Sequence, residues 1–234
     1  MKRFAAIADI HGNRWALEAA LRDIERRGIR QIVNLGDHLY GPLDLTGTAD
    51  LLIRLDLPSI RGNQDREEMP VSETHRRWLD SLPFSLKLPG MLLFHGTPLA
   101  DDVYLLETVH SGGVSMADSA QVEQRLGPEF SATDALPSLL LCGHSHIPRV
   151  TAFRHSLIVN PGSVGLQAYA DDLPLPHVME TGSPHARYAF LEADERGWSV
   201  EHICVPYDFA SAAEFALRQG RPDWSHRLLT GRCA

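Results

Sequence analysis

Cysteine is scarce in this 234-residue chain: Cys142, Cys204 and Cys233 form an odd set with no paired spacing. No disulfide framework follows, which suits a reducing compartment. Cys142 closes the apolar run Leu139–Cys142 and reads as a small core residue. Positive charge is short as well. Against 30 Asp and Glu there are 22 Lys and Arg, a formal net charge of −8 that speaks against a non-specific nucleic-acid or membrane binder. Bound divalent cations would offset about half of that charge. Long hydrophobic runs are missing: nothing approaches the ~20 apolar residues of a membrane span. The opening Met1–Ala8 run breaks at Asp9 and His11, short of the ~7–15 apolar residues of a signal peptide. Internal repeats, low-complexity tracts and linkers are also absent. These absences leave one cytoplasmic domain, 1–234, with no membrane and no stable nucleic-acid partner. A homo-oligomer joined through edge strands stays open, because no surface for it is marked.

What is present is a series of short apolar runs: Phe4–Ala8, Ile32–Leu35, Leu57–Ile60, Met91–Phe94, Leu139–Cys142 and Leu157–Val159. Between them lie stretches of helical period. Asn13 to Arg27 puts Leu17, Ala20, Leu21 and Ile24 on one side, and Gly28 stops it. Thr46–Leu55, Glu73–Leu82 and Ser119–Leu126 read as further helices. Such alternation predicts an α/β fold with right-handed crossovers. Later, Tyr188–Leu191 and Trp198–Val205 flank Asp194-Glu195-Arg196-Gly197 as a hairpin, and Asp208–Gln219 and Asp223–Leu229 close the chain as helices. Residues 167–186, rich in Pro and Asp, are a candidate loop over the site.

Five segments carry the chemistry: Asp9-Ile10-His11, Gly36-Asp37, Gly62-Asn63, His95-Gly96 and Gly143-His144-Ser145-His146. Each follows an apolar run, so each places metal-ligating side chains at a strand's C-terminal end, where α/β sheets build their sites. Two Asp, four His and one Asn suffice for two divalent cations. Asp37 can bridge them, since a carboxylate has two oxygens. Imidazole with carboxylate suits Mn, Fe, Zn, Ni or Co better than Mg or Ca. Two such ions roughly 3.5–4 Å apart acidify a water and polarise a phosphoryl group, the chemistry of a phosphoester hydrolase.

The order Asp-x-His-Gly, Gly-Asp, Gly-Asn, Gly-His-x-His resembles the calcineurin-like metallophosphoesterase superfamily over residues 4 to 165. Its small bacterial and archaeal phosphodiesterases are the most similar branch. Phe94-His95-Gly96-Thr97-Pro98 and Asn160-Pro161-Gly162-Ser163-Val164-Gly165 add to the likeness. The resemblance implies a four-layer α/β/β/α sandwich. It also implies one ion on Asp9, His11, Asp37 and His146, and a second on Asp37, Asn63, His95 and His144. The expected activity is hydrolysis of small or nucleotide phosphodiesters by direct water attack. A phosphomonoesterase on small metabolites, or a non-catalytic metal-binding scaffold or sensor of the same fold, are the alternatives.

One departure stands out. The family's Gly-Asn-His-Asp/Glu is here Gly62-Asn63-Gln64-Asp65, and Gln64 can donate a hydrogen bond but cannot transfer a proton near neutral pH. His38, next to Asp37, is the candidate replacement acid, joining Asp37 and Asn63 as catalytic residues. Asp65 is a candidate support for the ligands. The arginine of protein phosphatases in Gly-Asp-x-Val-Asp-Arg-Gly is missing from Gly36–Pro42. Phosphate contacts would then fall to Asn63 and Gln64 with Arg14 or Arg61. His110, His177 and His185 are further candidates to line a substrate.

Overall fold

A computed structural model describes residues 2–130 and 136–234. In chain order the elements are β1 (Arg3–Ile7), α1 (Arg14–Arg26), β2 (Ile32–Asn34), α2 (Leu45–Leu55), α3 (Glu73–Ser81), β3 (Ser85–Leu88) and β4 (Met91–Phe94). Next come β5 (Glu107–His110), β6 (Gly113–Met116), α4 (Ser119–Leu126), β7 (Leu139–Leu141), β8 (Arg149–Phe153) and β9 (Ser156–Asn160). The chain ends with β10 (Ala168–Asp171), β11 (His177–Glu180), β12 (Ala186–Asp194), β13 (Gly197–Val205), α5 (Phe209–Arg218) and α6 (Pro222–Thr230).

Period-two alternation builds the layers. In β1, Phe4 and Ala6 point one way and join Val33, Leu35 and Leu191 against Met91, Leu93, Leu139, Leu141 and Val159. Ala5 and Ile7 point the other way, onto Leu17, Ala20 and Ile24 of α1. The first set is the contact between two sheets, ordered β13-β12-β1-β2 and β3-β4-β7-β9-β8. On the second sheet's outer face, Leu92, Phe94, Leu140 and Ile158 pack on Val122 and Leu126 of α4. Helix, sheet, sheet, helix is the α/β/β/α sandwich. Strands β1 and β2 are parallel, as are β4, β7 and β9, so the C-terminal ends of each set lie together.

Local signals place the helices. Asn13 caps α1 by accepting from the Ala16 N–H, and Asp44 caps α2 through Gly47 N–H. Asp118 and Gln121 form a reciprocal capping box on α4. The 188–205 hairpin extends to nine paired positions between β12 and β13. Two readings change. Leu57–Ile60 is not a strand: it runs beside β2 with one bridge, Asn34 to Ser59, and Pro58 offers no N–H to continue the ladder. Segment 167–186 carries the antiparallel ribbon β10–β11 rather than irregular chain, and its Tyr169 lines the cleft described below.

Leu93 is fully buried between the sheets. Leu93→Ala is expected to cost about 2–5 kcal/mol in urea unfolding. A loss below about 1 kcal/mol would mean that the inter-sheet layer collapses around the cavity.

Candidate metal centre

The loops leaving β1 and β2 stay hydrogen-bonded to each other beyond the strands. Asp9 N–H donates to Gly36 O (2.9 Å), and His11 N–H and Ile10 N–H donate to Asp37 O (3.0 and 2.8 Å). In the second sheet Gly143 N–H donates to His95 O at 2.7 Å. The Asn160–Gly165 loop lies beneath both. Ser163 Oγ–H donates to Asp9 O (2.7 Å), Gly165 N–H to the same oxygen (3.0 Å), and Asn160 Nδ2 to Gly143 O (2.7 Å). Gly165 packs so tightly on the Ile10 carbonyl that a Cβ would overlap it. Gly62 likewise leaves no room for a Cβ beside the Asp37 carboxylate.

These turns are strained. Among the described residues seven non-glycines have positive φ, and five of them are Asp9, His11, Asp37, His144 and His146 (φ 54°, 52°, 56°, 68° and 60°). Each such conformation costs roughly 1–3 kcal/mol, and it persists only where the surroundings over-determine it.

The strain aims side chains at one point. Ligand atoms of Asp9, His11 and His146 lie within 4.8 Å of one another, as do those of Asp37, His95 and His144. Asp37 Oδ2 stands between the two groups, 3.4 Å from His95 Nε2 and 3.8 Å from His11 Nε2. Asn63 Oδ1 is 3.1 Å from His95 Nε2. All seven residues predicted as ligands therefore come together.

Main-chain carbonyls fix three of the imidazoles. A carbonyl only accepts, so the ring nitrogen facing it must carry the proton. His11 Nδ1–H donates to Tyr40 O (3.0 Å), His95 Nδ1–H to Leu35 O (2.7 Å) and His146 Nδ1–H to Leu166 O (2.7 Å). Nε2 of these rings is thereby left facing inward, the arrangement that metal-binding histidines use. The His144 ring is stacked on that of Tyr104 at 4.7 Å.

Asp65 organises the turn below. Its Oδ2 accepts from Asp37 N–H (2.9 Å), Gly62 N–H (2.9 Å) and His38 Nδ1–H (2.7 Å), and its Oδ1 accepts from His38 N–H (2.8 Å). His38 itself is not brought to the cleft. It is fully buried on Asp65 with its ring edge-on to Trp78 at 5.1 Å. Arg14 also lies elsewhere, bonded to Glu18 (2.7 Å) on the exposed face of α1. Arg61 does not line the cleft, whereas Gln64 and Asn63 do. His110 is exposed, and His177 is bonded to the OH of Tyr104 (3.0 Å), the ring that stacks on His144; His177 itself does not line the cleft. His185 is half-buried, with its Nδ1 on Ser183 Oγ at 2.6 Å.

Electrostatics fit a cation. Asp9 is fully buried and neither carboxylate oxygen has a hydrogen-bond partner. Burial drives its pKa well above the usual range, against the pull of His95. His11 Nε2 and His146 Nε2 face each other at 3.1 Å, and with both protons on Nδ1 two lone pairs meet. A cation between them would relieve that contact and the orphaned carboxylate together. Burial lowers His144 to about 4, assisted by His95, and lowers His146 and His11 too, so these three rings are neutral and ready to ligate. For Asp37, burial alone would raise the pKa, but His95 and His11 pull it below the carboxylate range. Burial would likewise lower His95, yet Asp37 and Asp9 push it up to about 10.

Above the ligands opens a cleft of about 370 Å³. Its wall includes Tyr40, Tyr169, Asp171, Arg221, Asp223, Trp224 and Arg227. The α6 residues were missed from sequence because nothing in 221–227 marks them; their role comes from where α6 lands. A larger hollow of about 660 Å³ lies between the β5–β6 and β10–β11 ribbons, and none of the seven candidate ligands lines it.

The calcineurin-like phosphoesterase superfamily domain matches residues 2–181. The chain belongs to that family. It is thus a metal-dependent phosphoesterase. An uncharacterized protein of Methanocaldococcus jannaschii is 26% identical, the alignment covering 97% of this chain and 98% of that protein. In structure the chain is similar to a metallophosphoesterase from Sphaerobacter thermophilus, with a TM-score of 0.74, 23% identity, and coverage of 98% and 99%. It is also similar to a hypothetical protein from Pyrococcus horikoshii OT3, with a TM-score of 0.69, 20% identity, and full coverage of both chains. At those identities the likeness is one of fold. No helix among the described residues is long and apolar enough to cross a membrane.

Two outcomes follow for this centre. Asp65→Ala, which strands four N–H donors, is expected to lose about 3 kcal/mol and to lower the metal content of the purified protein. Unchanged metal content in a folded variant would show that Asp37 holds its place without Asp65. Ligation needs neutral His95, so loading chelator-stripped protein at pH 8 should expel about one proton per chain from a group lying at about 10. The release should disappear above pH 10. Calorimetric heats of metal binding that do not depend on the ionisation enthalpy of the buffer would contradict this.

Proposed function

We propose that this chain, as one domain over 1–234, hydrolyses small or nucleotide phosphodiesters with the help of two divalent cations. Asp9, His11, Asp37 and His146 would hold one, and Asp37, Asn63, His95 and His144 the other. Mn, Fe, Zn, Ni and Co are the metals that this donor set suits. Such ions supply Lewis acidity and an acidified water at neutral pH. The observation that carries the reading is the position of Asp37 Oδ2 between the two histidine groups at the floor of an open cleft.

The chain's own groups do the rest. Main-chain carbonyls keep Nε2 of His11, His95 and His146 inward, and Asp65 holds the Asp37 backbone in its strained turn. Asn63 and Gln64 line the cleft, where their amides can donate to phosphoryl oxygens. Gln64 brings no transferable proton. With His38 buried on Asp65, no imidazole outside the candidate ligands lines this cleft. That supports esters whose leaving group departs as an anion, hence diesters with good leaving groups over alkyl monoesters. Cytoplasmic residence completes the proposal, supported by three free cysteines.

The test is turnover of paired aryl phosphodiester and phosphomonoester substrates by stripped protein, with Mn, Ni, Zn, Fe or Mg restored singly. Diester turnover is expected to return with a transition metal and to fall at least 10²-fold in Asp37→Asn, the scale at which a charge-stabilising group is lost. Faster monoester turnover would make the protein a phosphomonoesterase. No turnover despite two bound ions would leave a sensor or scaffold.

A further inference from the structure

We propose that Arg221 and Arg227 of the terminal helical pair form a second anion subsite in the cleft, and that it takes a phosphate adjoining the scissile one. The inference rests on the phosphoesterase reading and adds a substrate class to it: esters that carry a further phosphate, such as nucleoside polyphosphates.

The geometry is built around Asp223. Arg221 Nε and Nη2 donate to its two oxygens at 2.9 and 2.7 Å, and Arg227 Nη1 approaches Oδ2 at 3.7 Å, beyond hydrogen-bond reach. The carboxylate thus orients the Arg221 guanidinium and sits beside that of Arg227, and among these three side chains a unit of positive charge is left over. Such a posed pair matches the fork geometry of phosphate. Asp223 is held below the carboxylate range, first by Arg221, so it stays ionised and keeps Arg221 in place. Arg227 is 17% exposed and Arg221 42%, and both line the cleft.

Trp224 sets the position of this pair relative to the metal ligands. Its ring is 6.0 Å from that of His11, edge to face, and Arg221 Cζ lies 5.6 Å from the same indole. The Trp224 ring thus stands in contact with both His11 and Arg221, and both arginines line the cleft that His11, Asp37, Asn63, His144 and His146 line. Tyr40, whose carbonyl orients His11, also lines this wall, and its side chain is 38% exposed. In a chain of net charge −8 the arginine pair places two cations on a cleft wall that also carries Asp171 and Asp223. Helix α6 also lies beyond residues 2–181, the part that matches the family. The shared domain supplies the ligands, and the following segment supplies the subsite.

The experiment is calorimetric titration of the full, metal-loaded chain with AMP, ADP, orthophosphate and pyrophosphate. ADP is expected to bind at least tenfold tighter than AMP, the scale of one charge-assisted contact. Pyrophosphate should exceed orthophosphate likewise if the phosphates alone are read, and only ADP should gain if the nucleoside is needed too. Arg221→Ala with Arg227→Ala should bring the ADP-to-AMP ratio within about twofold of unity, and Arg227→Lys, which keeps charge but loses the fork, should lower it partly. Arg218→Ala, on the exposed face of α5 against Glu214, is the control for a general charge effect. Equal affinities for ADP and AMP in the parent chain, or a ratio preserved in a double variant with the parent's melting temperature, would overturn the subsite. A preserved phosphate preference in a protein without turnover would overturn the hydrolase reading and leave the subsite standing.

Discussion

The packing of two sheets face to face is what makes this centre. The carbonyls that turn the imidazoles come from both sheets: Leu35 and Tyr40 follow β2 of the first, and Leu166 follows β9 of the second. His95 comes from the second sheet yet takes its orientation from Leu35 of the first. His146 comes from the second and meets His11 of the first. None of these contacts exists unless Phe4, Ala6, Val33 and Leu35 close on Leu93, Leu139 and Leu141. The apolar layer thus acts on the chemistry through the register it imposes. Five strained ligand residues add a debt of several kcal/mol, at roughly 1–3 kcal/mol each, which the ladder from Asp9 to Gly165 must offset.

Much of that fold was legible because its signals are local. Buried strands announce themselves by apolar runs, and β1, β4 and β7 fall within a residue of the runs that predicted them. Helices α1 and α4 begin where Asn13 and Asp118 cap them. Elements that lack a buried face gave no such signal. Strands β3, β5, β6 and β8 are half exposed, and the β10–β11 ribbon sits in a segment whose Pro and Asp content reads as loop. Leu57–Ile60 misled in the opposite sense: it is apolar enough for a strand, but Pro58 breaks its ladder.

The site divides the same way. Ligands at strand ends were readable because each of the five segments sits directly after the apolar run that precedes its side chains. The groups that orient them were not, since a carbonyl belongs to every residue and marks none. Asp65 lay in the motif, but its four hydrogen bonds emerge only when two turns stack. Arg14 and Arg61 neighbour candidate ligands in sequence, and nearness in sequence fails here. The outward face of α1 carries Arg14 to Glu18, while α6, some two hundred residues from Asp9 in sequence, brings Arg221 and Arg227 to the cleft.

Gln64 and the arginine pair bear on the same question from opposite sides. An enzyme that expels a basic alkoxide needs a proton at the leaving oxygen, and the family position that would carry an imidazole holds an amide. His38 does not replace it: the ring is spent on Asp65, which in turn holds the Asp37 backbone, so its contribution is to geometry. Asp223 does not replace it either, because its arginines keep it ionised. A leaving group that is itself a phosphate needs no such proton, since it departs as a stable anion. It does need its charge met as it separates, and two guanidinium groups beside the ligands are placed to meet it. A glutamine at the acid position and a cationic subsite in the cleft thus suit the same substrates: a site without a proton to give fits leaving groups that do not require one.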